Sequence, residues 1–116
     1  MRIAAFSDIH GNLSALEAVL ADIERHNVDH LICLGDLVAL GPFPGDVVER
    51  LSALGCPVVL GNTDAWYKEP LPAGWRRPAD KRQAMVYDCY LWLKEQLSPE
   101  QHTYLLSLPF QQRIGP

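Results

Sequence analysis

Polar side chains of the types that bind divalent cations follow three apolar runs of the sequence. Asp8 and His10 come after the first run, Asp36 after the second and Asn62 after the third. If these runs are neighbouring parallel strands, the four side chains meet beyond the carboxyl ends of the strands, where open parallel sheets bind ligands. We therefore predict a shared cation site built from Asp8, His10, Asp36 and Asn62.

The spacing and the donor types indicate what such a site does. Asp8 and His10 are two residues apart, which points both side chains the same way where strand geometry persists. Asp36 has two oxygens and could bridge two cations, an arrangement that clamps the attacking and leaving oxygens in phosphoryl transfer. Asn62 adds a neutral oxygen, which does not repel an anionic substrate. Mixed oxygen and imidazole ligands predict one or two divalent ions, with manganese favoured and iron, zinc or nickel as alternatives.

The elements that must position these residues alternate between strand and helix. We predict strands over 2–7, 29–34 and 57–60, with a helix after each of the first two. The first helix is capped by Asn12 and the second is closed by Gly55. This βαβαβ pattern with short connections predicts an α/β fold with a parallel sheet flanked by helices.

Further along, the sequence predicts an irregular loop over 65–78, helices over 79–97 and 98–107, and another strand over 110–114. The apolar side of the helix over 79–97 predicts packing against the core. That side comprises Met85, Val86, Cys89, Trp92, Leu93 and Leu97.

Composition and charge exclude several classes of protein. The length of 116 residues predicts a single domain over 1–116, and 48% hydrophobic with 21% charged residues is ordinary for a soluble globular chain. No apolar run approaches the ~20 residues of a membrane span, so we predict a cytoplasmic protein without a membrane partner. A net charge of -4 argues against a surface for nucleic acid. Three widely spaced cysteines predict buried, reduced thiols.

Three blocks of the sequence together resemble the calcineurin-like metallophosphoesterases, in particular their small bacterial and archaeal phosphodiesterase branch. The blocks are Asp-Ile-His-Gly-Asn at 8–12, Gly-Asp-Leu-Val at 35–38 with Gly-Pro at 41–42, and Gly-Asn-Thr-Asp at 61–64. The similarity spans residues 1–109 in order. It implies that the sheet corresponds to the first half of a four-layer α/β/β/α sandwich.

The resemblance also implies roles for the residues of these blocks. Asp8 and His10 ligate the first metal, Asp36 bridges, and Asn62 ligates the second metal and approaches the phosphate. Asp36 and Asn62 are then the catalytic residues, and Asn12 and Asn62 bind the substrate. The implied substrate is a small phosphomonoester or phosphodiester, and the implied nucleophile is a metal-bound hydroxide.

The sequence departs from the family pattern at two places. Thr63 stands where family members carry a histidine that protonates or stabilises the leaving group, and threonine is no acid at neutral pH. Similar proteins also continue with one histidine after a following strand and two more in a Gly-His-Thr-His-like block, which this sequence lacks. We interpret the chain as a truncated domain whose other histidines, His26, His30 and His102, are surface or capping residues.

The missing ligands predict impaired chemistry. We expect weak or absent turnover by these residues alone, and one metal held by Asp8, His10 and Asp36 rather than two. The uncovered sheet face of half a sandwich predicts a homo-oligomer. The identity of the phosphate ester and of the native metal stays open.

Three other functions are compatible with parts of the sequence. The first is a non-catalytic metal- or partner-binding module derived from the same fold. The second is a nucleotide-binding Rossmann-like domain, although its glycine signature and the P-loop lysine are absent from the sequence. The third is an aspartyl-phosphate phosphatase, which would need an aspartate where His10 stands.

Overall fold

The computed structural model describes residues 1–68, 74 and 76–115. It shows a parallel sheet with helices packed on it, so the predicted α/β class is confirmed. None of the helices within these ranges is both long and apolar enough to span a bilayer. In chain order the elements are β1 Ile3–Phe6, α1 Leu13–Glu24, β2 His30–Cys33, α2 Pro44–Leu54, α3 Asn62–Lys68, α4 Lys81–Gln96 and α5 Pro99–Ser107.

The sheet is parallel, as the short βαβ connections predict. β1 and β2 pair along their full lengths. The third predicted strand, 57–60, contributes a parallel bridge between Val58 and Cys33, with 3.0 Å hydrogen bonds from Cys33 N to Pro57 O and from Val59 N to Cys33 O. Pro57 has no N–H to donate, which limits pairing at the start of this run. The third run therefore lies beside β2 as predicted, but it is shorter than a full strand.

Local signals in the sequence set the ends of three helices. Asn12 caps α1, and its side-chain oxygen accepts a hydrogen bond of 3.0 Å from Ala15 N. Gly55 ends α2 at φ 69°, in the left-handed region where glycine avoids the Cβ penalty. Ser98 and Gln101 form a capping box at the start of α5. These predicted helix ends are confirmed.

Two downstream predictions are wrong in part. The predicted loop over 65–78 begins within α3, while its positions 69–73 and 75 lie outside the described residues. The prolines of this stretch begin only at position 70, so none of them prevents a helical turn before it. The predicted strand over 110–114 is irregular in the structure, because among the described residues no strand edge pairs with it.

The packing of α4 also differs from the prediction. Leu93 and Leu97 near its carboxyl end are buried, but Met85 is 67% exposed, and Val86, Cys89 and Trp92 are exposed as well. The prediction of core packing is therefore wrong for four of the six residues that it named. The physical reason is that Leu93 and Leu97 pack on the core, while no layer within the described ranges covers the other four side chains fully.

One face of the sheet packs on the core and the other is partly open. Phe6, Leu31 and Cys33 contact the hydrophobic core, to which α1, α2, α4 and α5 contribute. On the opposite face Ile3 is 42% exposed and Ala5 is exposed. The uncovered face that the sequence predicts is present at these two positions, and self-association through it stays a prediction.

The three cysteines are free thiols in different environments. Cys33 is buried, and this burial raises the pKa of its thiol to about 12. Cys56 is half-buried, and burial likewise raises its pKa. Cys89 is exposed on α4, so the prediction of buried thiols is wrong there.

Candidate metal centre

Ile9 anchors the loop that carries the first two predicted ligands. Its side chain is buried in the core, whereas Asp8 and His10 on either side of it are exposed and half-buried. Hydrogen bonds tie this loop to the one after β2: Asp8 N donates to Gly35 O at 3.1 Å and His10 N to Asp36 O at 2.9 Å. One buried residue between two accessible ones turns both predicted ligands away from the core.

The backbone of three candidate ligands adopts a sparsely populated conformation. The φ angle is 57° at Asp8, 46° at His10 and 57° at Asp36, in the left-handed region that few non-glycine residues adopt. Each such residue costs on the order of 1 kcal/mol and persists where surrounding contacts impose it. Backbone strain of this kind concentrates at functional sites, and here it falls on predicted metal ligands.

Three of the four predicted metal ligands come together at the carboxyl end of the sheet. One ligand atom each from Asp8, His10 and Asp36 lie within 4.8 Å of one another. Asp8 Oδ1 is 3.5 Å from His10 Nε2, and Ser7 Oγ donates to Asp8 Oδ2 at 2.5 Å. Two carboxylates this close repel each other, and a cation between them would relieve the repulsion.

A backbone carbonyl orients the imidazole of His10. His10 Nδ1 lies 3.1 Å from Ala39 O, and since a carbonyl can only accept, Nδ1 is the protonated nitrogen in the neutral ring. Nε2, which faces Asp8, then carries a free lone pair. Metal-binding histidines are commonly held in this way, with one ring nitrogen bonded to a carbonyl and the other turned to the metal.

Thr63 orients the carboxylate of Asp36. Both the backbone N–H and the hydroxyl of Thr63 donate to Asp36 Oδ1, at 3.0 and 2.8 Å. Among the described residues, every hydrogen bond that the Asp36 carboxylate accepts is therefore accepted by Oδ1. This leaves Oδ2 as the oxygen to coordinate a cation. Two carboxylates and an imidazole with a free Nε2 form a donor set that suits manganese, iron or zinc.

Asp64 is a buried carboxylate that sequence reasoning did not include in the site. Its side chain is fully buried and accepts three backbone hydrogen bonds, from Asp36 N at 2.8 Å, Leu37 N at 2.9 Å and Gly61 N at 3.0 Å. Burial raises the pKa of the Asp64 carboxyl, the three N–H groups act in the opposite direction, and the charge of Asp36 adds to the increase. Asp64 therefore joins the loop of Asp36 to the loop of Asn62. The signal that could have identified it is its place at the end of the Gly-Asn-Thr-Asp block.

Glycines allow the loops to approach one another at two points. A Cβ on Gly61 would overlap the backbone N and the carboxylate of Asp36, and a Cβ on Gly41 would overlap the carbonyl oxygen of His10. Larger residues at either position would displace a candidate ligand. This is the physical reason for the glycines in the second and third sequence blocks.

The two asparagines of the predicted site lie at helix starts. Asn62 is exposed at the first position of α3, between Gly61 and Thr63, which both contact Asp36. It therefore lies at the edge of the cluster, and its part in binding metal or phosphate stays a prediction. Asn12 uses its side-chain oxygen to cap α1, which leaves its NH₂ group for the predicted contact with substrate.

The other histidines lie away from the three ligand side chains. His26 and His30 are exposed, as predicted, and His26 pairs with Asp22 at 3.5 Å. His102 differs from the prediction because it is half-buried on α5, where the Tyr67 hydroxyl bonds its ring and the two rings stack at 5.2 Å.

Comparison with known proteins agrees with this geometry. The family model for calcineurin-like phosphoesterases matches residues 1–108. The chain belongs to the calcineurin-like phosphoesterase family. Family membership implies divalent metal ions, and the cluster of Asp8, His10 and Asp36 is the candidate site for the metal.

Two known proteins are similar in sequence along most of this chain. Uncharacterized protein MJ0912 of Methanocaldococcus jannaschii is 39% identical over 109 residues, which are 92% of this chain and 42% of the relative. Phosphodiesterase YfcE of Escherichia coli is 30% identical over 100 residues, or 73% of this chain and 54% of YfcE. The chain thus spans about half the length of these relatives.

Two solved structures share the fold. The crystal structure of a metallophosphoesterase from Sphaerobacter thermophilus has a TM-score of 0.73 and 36% identity, covering 99% of this chain and 44% of the other. A putative diadenosine tetraphosphatase has a TM-score of 0.68 and 30% identity, covering 93% of this chain and 43% of the other. The similarity therefore extends through both loops that carry the cluster.

Proposed function

We propose that this chain supplies the first half of a metal-dependent phosphoesterase site, which hydrolyses a small phosphomonoester or phosphodiester. The observation that carries the proposal is the convergence of Asp8, His10 and Asp36, whose ligand atoms lie within 4.8 Å of one another. We propose one cation for these residues alone and manganese as the favoured ion. A bound divalent ion would supply a Lewis acid that acidifies water and neutralises charge on the phosphoryl oxygens.

The chain's own residues hold and orient the groups around that ion. Ala39 O fixes His10 with Nε2 toward the site, and Thr63 fixes Asp36 with Oδ2 toward it. Asn62 offers a neutral amide that would bind a phosphoryl oxygen without repelling it. The NH₂ group of Asn12 would donate to the same anion.

Protonation of the leaving group has no candidate in this loop. The Thr63 hydroxyl donates its proton to Asp36 Oδ1, and threonine is far too weak an acid at neutral pH. Three protein ligands also leave a cation under-coordinated unless water or other protein groups complete the shell. These two points support the proposal of weak or absent turnover by this chain alone.

A chimeric protein tests the proposal. Residues 1–108 of this chain would be joined to the remaining part of the metallophosphoesterase from Sphaerobacter thermophilus, which is 36% identical to this chain. We expect manganese-dependent hydrolysis of bis-p-nitrophenyl phosphate by the chimera, and a rate at least about 100-fold lower for the present chain, because an incomplete ligand shell stabilises the transition state less.

The matched control is the same chimera carrying Asp36→Asn, which should lose the activity while keeping its circular dichroism. Rapid manganese-dependent hydrolysis by the present chain would contradict the proposed impairment. A folded chimera that binds manganese without hydrolysing the ester would contradict the proposed phosphoesterase function of these residues.

The second candidate function is a non-catalytic module that binds a metal or a partner. The hydrogen bond from the Thr63 hydroxyl to Asp36 favours this candidate, because the described residues of this loop then offer no proton donor to a leaving group. The exposed Ile3 and Ala5 on the open sheet face would be its partner surface, and a second copy of this chain is the partner that we propose. Metal binding together with an inactive chimera would select this candidate.

A further inference from the structure

An apolar pocket lies beside the metal cluster and is not used by the function proposed above. Its volume is about 190 Å³. The loop after β2, the helix α3 and the middle of α4 form its walls. Its lining is almost wholly apolar and includes Ala39, Leu40, Thr63, Trp66, Val86 and Tyr90.

Two lining residues of this pocket are hydrogen-bonded to candidate metal ligands. Thr63 donates to Asp36 Oδ1 at 2.8 Å, and Ala39 O accepts from His10 at 3.1 Å. The pocket therefore shares its wall with the cluster.

Two large apolar side chains at the rim of the pocket, Leu40 and Trp66, are exposed. Leu40 has φ 81° and is 64% exposed, and among the described residues it is the one apolar side chain in the left-handed region. For a bulky residue this conformation is a true outlier. Trp66 is 53% exposed at the same rim and presents a large aromatic surface. Strained and exposed apolar groups around a cavity beside a polar centre are typical of a ligand site.

We propose that this pocket binds an aromatic ring of a phosphate ester whose phosphate lies at the metal cluster, an inference that rests on the proposed function. The volume fits one ring, since an apolar cavity of about 150 Å³ is large enough to bind benzene. Trp66 and Tyr90 provide aromatic surfaces against which a ring packs favourably. The substrate class is therefore an aryl ester, or an ester carrying a one-ring base, in preference to a simple alkyl ester.

Calorimetric titration with two phosphonates tests the pocket without requiring turnover. Phenylphosphonate and methylphosphonate carry the same anionic group, and both are titrated into the manganese-loaded chain. We expect phenylphosphonate to bind about tenfold more tightly, the effect of packing one ring on aromatic side chains. Equal affinities for the two compounds would overturn the proposal.

Substitutions in the pocket wall test whether the difference between the two affinities arises there. Val86→Asp places a charge in the pocket wall and should reduce the ratio of the two affinities to about one, because a carboxylate there must be desolvated by the ring. Trp66→Ala should lower the same ratio and serves as the second variant if Val86→Asp does not fold. The matched control is Leu106→Asp, at a 50% exposed position of α5 outside the pocket, which should leave the ratio unchanged. An unchanged ratio in both pocket variants would overturn the proposal.

The same titrations separate this inference from the function on which it rests. If methylphosphonate binds only with manganese present and phenylphosphonate gains nothing, the pocket assignment fails and the proposed function stands. If neither compound binds to the manganese-loaded chain, the proposed function fails and the pocket assignment fails with it. If Val86→Asp converts a dimer into a monomer in light scattering and leaves the ratio unchanged, a second copy of the chain occupies the pocket, and the proposal is overturned.

Discussion

Asp64→Ala is expected to lower the free energy of unfolding by about 3–6 kcal/mol, a large part of the ~5–15 kcal/mol of a typical domain. The carboxylate is the common acceptor for the backbone N–H groups of Asp36, Leu37 and Gly61, and alanine would leave one buried and two partly buried donors without it. Each unsatisfied buried donor costs roughly 1–3 kcal/mol. Urea denaturation followed by circular dichroism measures the effect.

Two other variants test whether the loss of stability is specific to the Asp64 carboxylate. Asp64→Asn keeps the shape and one acceptor oxygen, so its loss of stability should be intermediate. Asp22→Ala removes an exposed aspartate that pairs with Arg25 on the surface, and should cost at most about 1 kcal/mol. If Asp64→Ala and Asp22→Ala were equally stable, Asp64 would not be the residue that joins the two loops.

Asp36→Asn is expected to weaken manganese binding by at least about 100-fold, more than the 10–100-fold typical of losing a partner that only orients a metal ligand. The amide oxygen can still accept the two hydrogen bonds of Thr63, so the loop should keep its conformation. The variant thus removes the charge of the ligand rather than its place in the fold. Isothermal titration calorimetry with manganese measures the change.

The control for this second prediction is Asp46→Asn, which removes a charge at an exposed position of α2. Its manganese affinity should stay within about twofold of the unmodified chain, because screened charges outside the site interact weakly with the ion. A threefold or smaller change for Asp36→Asn would show that Asp36 is not a ligand.

The convergence of Asp8, His10 and Asp36 could be predicted from the sequence because it depends on topology alone. Parallel strands bring their carboxyl ends to one edge, and each of these residues directly follows an apolar run. The cap of Asn12 and the glycine at the end of α2 could be predicted from the sequence as well, since both depend on a few neighbouring residues. Such features need no knowledge of how distant segments pack.

The supporting residues could not be predicted, because their roles depend on how loops pack against each other. In the sequence, Thr63 indicates that a catalytic histidine has been lost, whereas in the structure its hydroxyl orients Asp36. Asp64 is in the sequence only the last residue of the third block, yet it is buried and accepts hydrogen bonds from residues 27 and 28 positions away. The exposure of Met85 and Val86 likewise depends on which layer covers α4 and is invisible in its apolar pattern.

The proposed function depends on one cation held by Asp8, His10 and Asp36, and paramagnetic broadening by manganese can locate that cation in solution. The chain has four histidines, so their ring signals in a proton–nitrogen NMR spectrum can be followed individually during titration with a small fraction of an equivalent of manganese. We expect the His10 ring and the amides of Asp8, Asp36 and Asn62 to broaden first, before the rings of His26, His30 and His102. If the His10 signals stayed sharp while another histidine broadened, or if all signals broadened alike, the metal centre would not be where the strands end.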